Sequence, residues 1–249
     1  MINESTETLD RLMPGNLQLI QGKRGHRYSL DAVLLAHFAR VRKGQPVVDL
    51  GTGVGVVALL LGVLNNASTI YGVERQESLA DRARRNVELN GMNGRVEILE
   101  GDVRRIRDLL PQGIAGLVVA NPPYRDPLSG RIAPDDERAA ARHELAGGVE
   151  AFVAAAAWLT AAGGRLAMIY LAERLSLLLS TLSRGGMEAK RLRMIHSHAD
   201  EDGKMVLVEA VRGARPGLKV ERPLVVYRHR GDSRAYTQEV EQMLGGWGG

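Results

Sequence analysis

The stretch Val47-Val48-Asp49-Leu50-Gly51-Thr52-Gly53-Val54-Gly55 passes from a short apolar run into alternating glycines. A valine-rich run fits a buried strand, and glycines directly after it let the chain turn sharply and bring its backbone close to a ligand. From Val54 to Leu64 the sequence is almost wholly apolar and reads as a buried helix. A strand that turns on glycine into a helix is the opening unit of an α/β sheet, with the first helical amides aimed back across the turn.

The same rhythm repeats downstream. Ile70 to Val73, Val96 to Leu99, Leu117 to Ala120 and Arg165 to Tyr170 read as strands, with helical segments near 77–90, 150–161 and 173–184 between them. Alternation of this kind implies a parallel sheet covered on both faces, a doubly wound, Rossmann-like α/β fold. After Gly185 the pattern changes: Arg191 to His196 and Met205 to Val211 flank the charged turn Asp200-Glu201-Asp202-Gly203, as in an antiparallel β-hairpin. A mostly parallel sheet of seven strands results. Leu224 to Tyr227 reads as a further strand and Tyr236 to Leu244 as a terminal helix.

Residues 1–45 precede this pattern as an N-terminal extension packed on a main domain of 46–249. Leu30, Val33, Leu34, Phe38 and Val41 recur at helical spacing, with Ser29 at the N-cap position and Gly44 as a stop, so 30–42 is predicted as one amphipathic helix. Before it, Gln21 to Arg27 reads as a glycine-flanked basic loop or hairpin.

Composition narrows the classes. In 249 residues, 45% are hydrophobic and 25% charged, which excludes a disordered chain. A formal net charge of +4 tolerates a polyanion without demanding one. Cysteine is absent, so disulfides and thiolate metal sites are excluded, and no metal is expected. The first residues are polar and acidic, unlike a secretion signal, and the longest apolar stretches fall short of a membrane span. A cytoplasmic protein without a membrane partner is the expectation. With aromatics at 4%, a broad base-stacking sheet is not expected.

Ligands of open α/β sheets bind beyond the strand C-termini. The strand ends bring Asp49, Glu74 and Asp102 to one such crevice. Glu74 lies about 20 residues beyond the glycine turn, where a carboxylate can accept ribose hydroxyl hydrogen bonds. The dinucleotide fingerprint would need a third glycine at position 56, which is Val56, so the spacing departs from the nicotinamide pattern. Solvated loop acids are the competing reading of each carboxylate taken alone.

The fourth strand ends in Asn121-Pro122-Pro123-Tyr124. Two prolines cannot donate to a sheet, so the strand stops and the Pro122 carbonyl is left out of the ladder. That carbonyl and the Asn121 side-chain oxygen form an acceptor pair for both hydrogens of a planar NH2 group, drawing its lone pair toward an electrophilic methyl. Tyr124 offers a flat face for a base and cation-π stabilisation for a sulfonium.

Over about residues 46–212 these features resemble class I S-adenosylmethionine-dependent methyltransferases. The resemblance implies S-adenosyl-L-methionine as cofactor, with Asp49, Gly51, Thr52, Gly53 and Gly55 at its methionine part, Glu74 on the ribose, Asp102 with Val103 at the adenine, and Asn121 among the cofactor contacts as well. Asn121 to Tyr124 is similar to the signature of amino-methyltransferases acting on adenine N6, cytosine N4 or glutamine amide nitrogen. Tyr28 to Leu35, the Arg138 to Arg142 element and Tyr236-Thr237 resemble one branch, the bacterial tRNA1(Val) adenine N6-methyltransferases. Where that branch has Gly-Thr-Asp, this chain has Ser29-Leu30-Asp31, so only Asp31 matches fully.

A tRNA partner is therefore expected, with Lys23, Arg24, Arg27, Asp31, Arg142 and His143 as candidate contacts. No acidic residue lies between 11 and 30, as suits a phosphate-contact patch, although charged loop residues kept wet would look the same. Alternatives of the same or another class are a protein glutamine N5-methyltransferase, a DNA adenine methyltransferase and a cofactor-bound but non-catalytic RNA assembly factor. The first usually carries a helical domain upstream, and residues 1–45 leave little room for one; the second needs a target-recognition segment with no counterpart here. The sequence does not set the oligomeric state.

Overall fold

A computed structural model describes residues 2–12, 16–24, 28–65, 67, 69–123, 148–229 and 235–245. The chain opens with an antiparallel hairpin of β1 (Glu7–Leu12) and β2 (Leu17–Gly22), followed by α1 (Leu30–Phe38). Then come β3 (Val47–Leu50), α2 (Val56–Leu64), β4 (Ile70–Glu74), α3 (Glu77–Leu89), β5 (Val96–Glu100), a 3-10 turn at Val103–Arg105, α4 (Ile106–Leu109) and β6 (Ala115–Ala120). The second half holds α5 (Gly148–Leu159), β7 (Thr160–Leu171), α6 (Leu175–Arg184), β8 (Met187–His196), β9 (Gly203–Arg212), β10 (Lys219–Val220), β11 (Leu224–Val225) and α7 (Gln238–Met243).

The main sheet runs β10-β8-β9-β7-β6-β3-β4-β5, with β11 also on β8. Strands β5, β4, β3, β6 and β7 are mutually parallel, and β9 alone reverses between β7 and β8. The doubly wound α/β class and its C-terminal antiparallel hairpin are as expected. Among the described residues the sheet has nine strands instead of seven, because the short β10 and β11 add to β8.

Two apolar cores lie on opposite faces. One joins α1, α2, α3, α7 and the N-terminal hairpin through residues such as Leu19, Leu34, Leu59 and Val87; the other joins α4, α5 and α6 through Ile106, Phe152 and Leu182. The central β3 is buried along its whole length, which explains why its sequence is continuous and not alternating. Among the described residues no helix is long and apolar enough to cross a membrane.

Helix α1 ends at Phe38, four residues short of the expected 42. The Phe38 carbonyl accepts a hydrogen bond of 2.6 Å from the Arg191 guanidinium, which also lies 3.7 Å over the Phe38 ring. A distant arginine thus satisfies the helix end that another turn would have satisfied.

The N-terminal hairpin was not expected. Asn16 turns the chain in the left-handed region at φ 51°, and β2 then runs along α3, against which its outer edge is closed by side chains. Asn86 accepts from the Ile20 amide at 2.6 Å and donates to the Ile20 carbonyl at 3.1 Å. Asn90 does the same for Gln18, at 2.9 and 2.7 Å. Buried Glu7 adds ion pairs to Arg82 at 3.3 Å and to Arg85. Because Gln18 lies beside Asn90 and Gly22 beside Arg82, β2 climbs toward the N-terminal end of α3 and carries Lys23 and Arg24 toward the rim where the parallel strands end.

Candidate active site

Strand register sets the site. Leu50 of β3 pairs with both Val73 of β4 and Ala120 of β6, so the next residues, Gly51, Glu74 and Asn121, stand side by side at the strand C-termini. Glu74 pairs with Glu100 of β5, which places Asp102 just beyond the same rim.

All three turn glycines take positive φ: 70° at Gly51, 59° at Gly53 and 87° at Gly55. That is the left-handed region that side chains resist, and it explains why this turn is written in glycine. The backbone is pinned underneath, since the Gly51 and Thr52 amides both donate to the Val73 carbonyl, at 2.8 and 3.0 Å. A Cβ added at Gly53 would meet nothing within 4 Å, whereas at Gly51 and Gly55 it would touch Phe152 and Ala83. The middle glycine therefore faces open space, and the outer two let helices close in.

Asp49 lies beneath this turn, 1% exposed. Its carboxylate accepts from the Thr52 hydroxyl at 2.5 Å and from the Ala58 amide in the first turn of α2. Burial pushes its pKa up to about 7, against the hydrogen bonds of Thr52 and Ala58, and the nearby Glu74 charge adds to the rise. Asp49 and Thr52 thus brace the turn from within the core. Thr52 fits only because β4 has Gly72 opposite, where a Cβ would come within 2.9 Å of the threonine methyl.

Glu74 is held in place by two backbone amides: Gly53 donates to Oε2 at 3.0 Å and Gln76 to Oε1 at 2.9 Å. The glycine turn and the acid at the end of β4 are thereby one unit, and each oxygen retains acceptor capacity for a diol. Asp102 caps the 3-10 turn, accepting from the Arg104 amide at 2.9 Å and from its guanidinium through both oxygens. That guanidinium holds its pKa below the usual carboxylate range. Val103 is half-buried beside it, packed with Leu99 and Leu109 against the second core.

Directly beyond the end of β6, Asn121 is half-buried, Pro122 buried and Pro123 exposed. Pro122 and Pro123 end the strand as expected, directly beside the glycine turn. Tyr124, Arg142 and His143 lie outside the described residues, as does Arg27. Lys23 and Arg24 are exposed, and Lys23 donates to the Glu4 carbonyl. Asp31 is half-buried in the first turn of α1, where Ser29 holds the N-cap position without a side-chain cap bond. Thr237 donates to the Val225 carbonyl at 2.7 Å and Tyr236 stacks on Tyr227 at 5.3 Å, so this pair fastens α7 to the sheet edge. Among the described residues no cluster of His, Asp or Glu could hold a metal ion.

Asn86 is the residue that sequence reasoning missed. Two asparagines four apart in Arg84-Arg85-Asn86-Val87-Glu88-Leu89-Asn90 are poor helix formers, and that misfit was the available signal.

A parallel sheet with one reversed strand beside its fifth is a Rossmann-like fold, and here a glycine turn, an acid and Asn-Pro-Pro line one rim of it. Solved structures share the fold. An Agrobacterium tumefaciens protein described as a predicted O-methyltransferase superposes with a TM-score of 0.68 at 26% identity, covering 86% of this chain and 94% of its own. The M. jannaschii TYW2 in complex with AdoMet gives 0.57 at 15% identity, over 83% and 85% of the two chains. The chain belongs to the methyltransferase small domain family, whose model matches residues 30–174, and it is a methyltransferase. A Porphyromonas gingivalis protein named tRNA1(Val) (adenine(37)-N6)-methyltransferase is 30% identical over 189 residues, 74% of this chain and 73% of that one. A relative of the same name from Tolumonas auensis is 25% identical over 189 residues, 76% and 77% of the two.

Proposed function

We propose that this chain transfers a methyl group from S-adenosyl-L-methionine to the exocyclic N6 of an adenine in tRNA, the position its relatives' name gives as adenine 37 of tRNA1(Val). The observation that carries the reading is the register placing Asn121 and its following prolines next to Gly51 and Glu74.

The residues present fit the cofactor. Gly53 leaves a cradle that any side chain would fill, and Glu74 presents two oriented oxygens for a ribose diol. Asp102 can accept from an adenine amine. When bound, S-adenosylmethionine supplies a methyl group made electrophilic by its sulfonium. The chain's own work is positioning: Asn121 Oδ1 and the Pro122 carbonyl accept the two N–H groups of the target amine and turn its lone pair outward. A neutral amine becomes acidic only after it gains the methyl, so its proton can pass to an acceptor late and no strong base is required. An oxygen nucleophile would have no second hydrogen for this acceptor pair, which favours nitrogen over the O-methyl description of the Agrobacterium structure. Lys23 and Arg24, brought toward the rim by β2, are suited to phosphate contact, and residues 1–45 serve in this reading as an extension for substrate binding.

Purified protein with methyl-labelled S-adenosylmethionine and separate pools of tRNA, rRNA, DNA and release factor tests it. Label is expected in tRNA as N6-methyladenine. Label confined to release factor would establish the glutamine amide reading instead, and none in any pool would leave only a non-catalytic role.

A further inference from the structure

Asn86 lies fully buried in the middle of α3 and uses both ends of its amide. Oδ1 accepts from the Ile20 amide at 2.6 Å, while Nδ2 donates to the Ile20 carbonyl at 3.1 Å and to the Val54 carbonyl at 2.9 Å. Val54 sits between Gly53 and Gly55, so one side chain grips both the N-terminal hairpin and the glycine turn. Asn90, one helical turn on, pairs with Gln18 and with the Asn86 carbonyl of its own helix. The two asparagines are matched to the hairpin because four residues of helix advance about 6 Å and two residues of strand about 6.6 Å. They replace a neighbouring strand along the edge of β2, but only the first reaches the turn.

We infer that Asn86 is a positioning residue for cofactor binding, coupling the docked state of the N-terminal hairpin to the conformation of the Gly51–Gly55 turn. The turn needs positive φ at three glycines, a conformation glycine shares with many others, so it requires an external restraint. Val73 restrains its first half through the Gly51 and Thr52 amides. Asn86 restrains its second half through Val54. Since the same amide must be aimed correctly for Ile20 and for Val54, whatever holds one favours the other. Cofactor in the turn then stabilises the hairpin that carries Lys23 and Arg24, and hairpin docking favours cofactor. The inference rests on the cofactor lying at the glycine turn.

Calorimetric titration with S-adenosylhomocysteine of the wild-type chain, Asn86→Ala and Asn90→Ala tests this, with thermal melts to confirm that each is folded. Asn86→Ala is expected to weaken binding about tenfold, and Asn90→Ala, which frees the hairpin edge without touching the turn, by less than about twofold. In turnover assays the Asn86→Ala change should appear in KM for the cofactor and leave kcat largely intact. Equal losses from both variants, or none from either, would overturn the inference, whereas absence of binding by the wild-type chain would count against the cofactor reading itself. The unsubstituted protein supplies an independent check should Asn86→Ala not fold. Adding S-adenosylhomocysteine should slow hydrogen exchange at the Ile20 amide more than at Gln18, and an unchanged Ile20 rate would equally contradict the coupling.

Discussion

The glycine turn and the N-terminal hairpin meet at Asn86 and are held together by different means. The turn is held at its own backbone groups by several neighbours: the Gly51 and Thr52 amides donate to the Val73 carbonyl, the Gly53 amide donates to the Glu74 carboxylate, and the Val54 carbonyl accepts from Asn86. The hairpin is fixed from outside by side chains of one helix, namely Arg82, Arg85, Asn86 and Asn90. A turn gripped at backbone groups from two sides loses part of its restraint with any one substitution, whereas the hairpin depends on side chains of a single helix for its docking.

The largest expected effect follows on the hairpin. Glu7→Ala removes the buried acid that Arg82 and Arg85 share, and stability should fall by about 2 to 3 kcal/mol, at or below the low end for a wholly buried pair because both arginines are partly wet and Arg85 keeps its pairing with Asp81. Urea denaturation measures it; a change under about 0.5 kcal/mol would show that apolar packing alone docks the hairpin.

On the turn, Asp49→Asn should act in the stabilising direction, and pH reveals why. With a folded pKa of about 7 against 3.8 in the unfolded chain, the native state keeps a proton between those values that the unfolded state has released. Its contribution is therefore fully present below about pH 4 and is lost as pH rises through about 7. An asparagine amide cannot ionise, so the variant should be more stable than wild type at pH 8, by on the order of 2 kcal/mol, and its stability should vary less between pH 4 and 7. An unaltered slope would mean that Asp49 is ionised in the core.

Glu74→Ala should cost about 1.5 kcal/mol of S-adenosylhomocysteine affinity for lost ribose hydrogen bonds, without loosening the hairpin. Undiminished affinity by calorimetry would remove Glu74 from the site. The smallest effect belongs to the double substitution Lys23→Ala and Arg24→Ala, expected to weaken tRNA binding by about 1 kcal/mol and to lower the salt slope by about 1 to 2. A slope equal to wild type would return both residues to ordinary solvated surface.

The same contrast explains what the sequence reveals. Strands β3 and β6 are buried almost throughout and appear as short apolar runs, while the edge strand β5 alternates with exposed Glu97 and Glu100; the last residues of these strands mark the rim that holds Gly51, Glu74, Asp102 and Asn121. The hairpin hides because β1, Glu7-Thr8-Leu9-Asp10-Arg11-Leu12, buries a glutamate at one end and a leucine at the other, with Leu9 45% exposed between them. Pro14-Gly15-Asn16 between two short runs was its one local signal. The early end of α1 was equally out of reach, since it depends on Arg191, distant in the chain. Asp49 reads as one of three rim acids but turns out to be a brace within the core, because sequence gives a side chain's strand position and not the depth of the groups that close over it.

The most direct measurement is single-turnover methyl transfer to tRNA by Asn121→Ala, alongside calorimetric binding of S-adenosylhomocysteine to the same variant. The expected result is a loss of transfer of about 10² or more with cofactor affinity changed less than about threefold, as for an acceptor aimed at the transition state. Transfer at the wild-type rate would contradict the assignment of Asn121 as the group that orients the attacked amine.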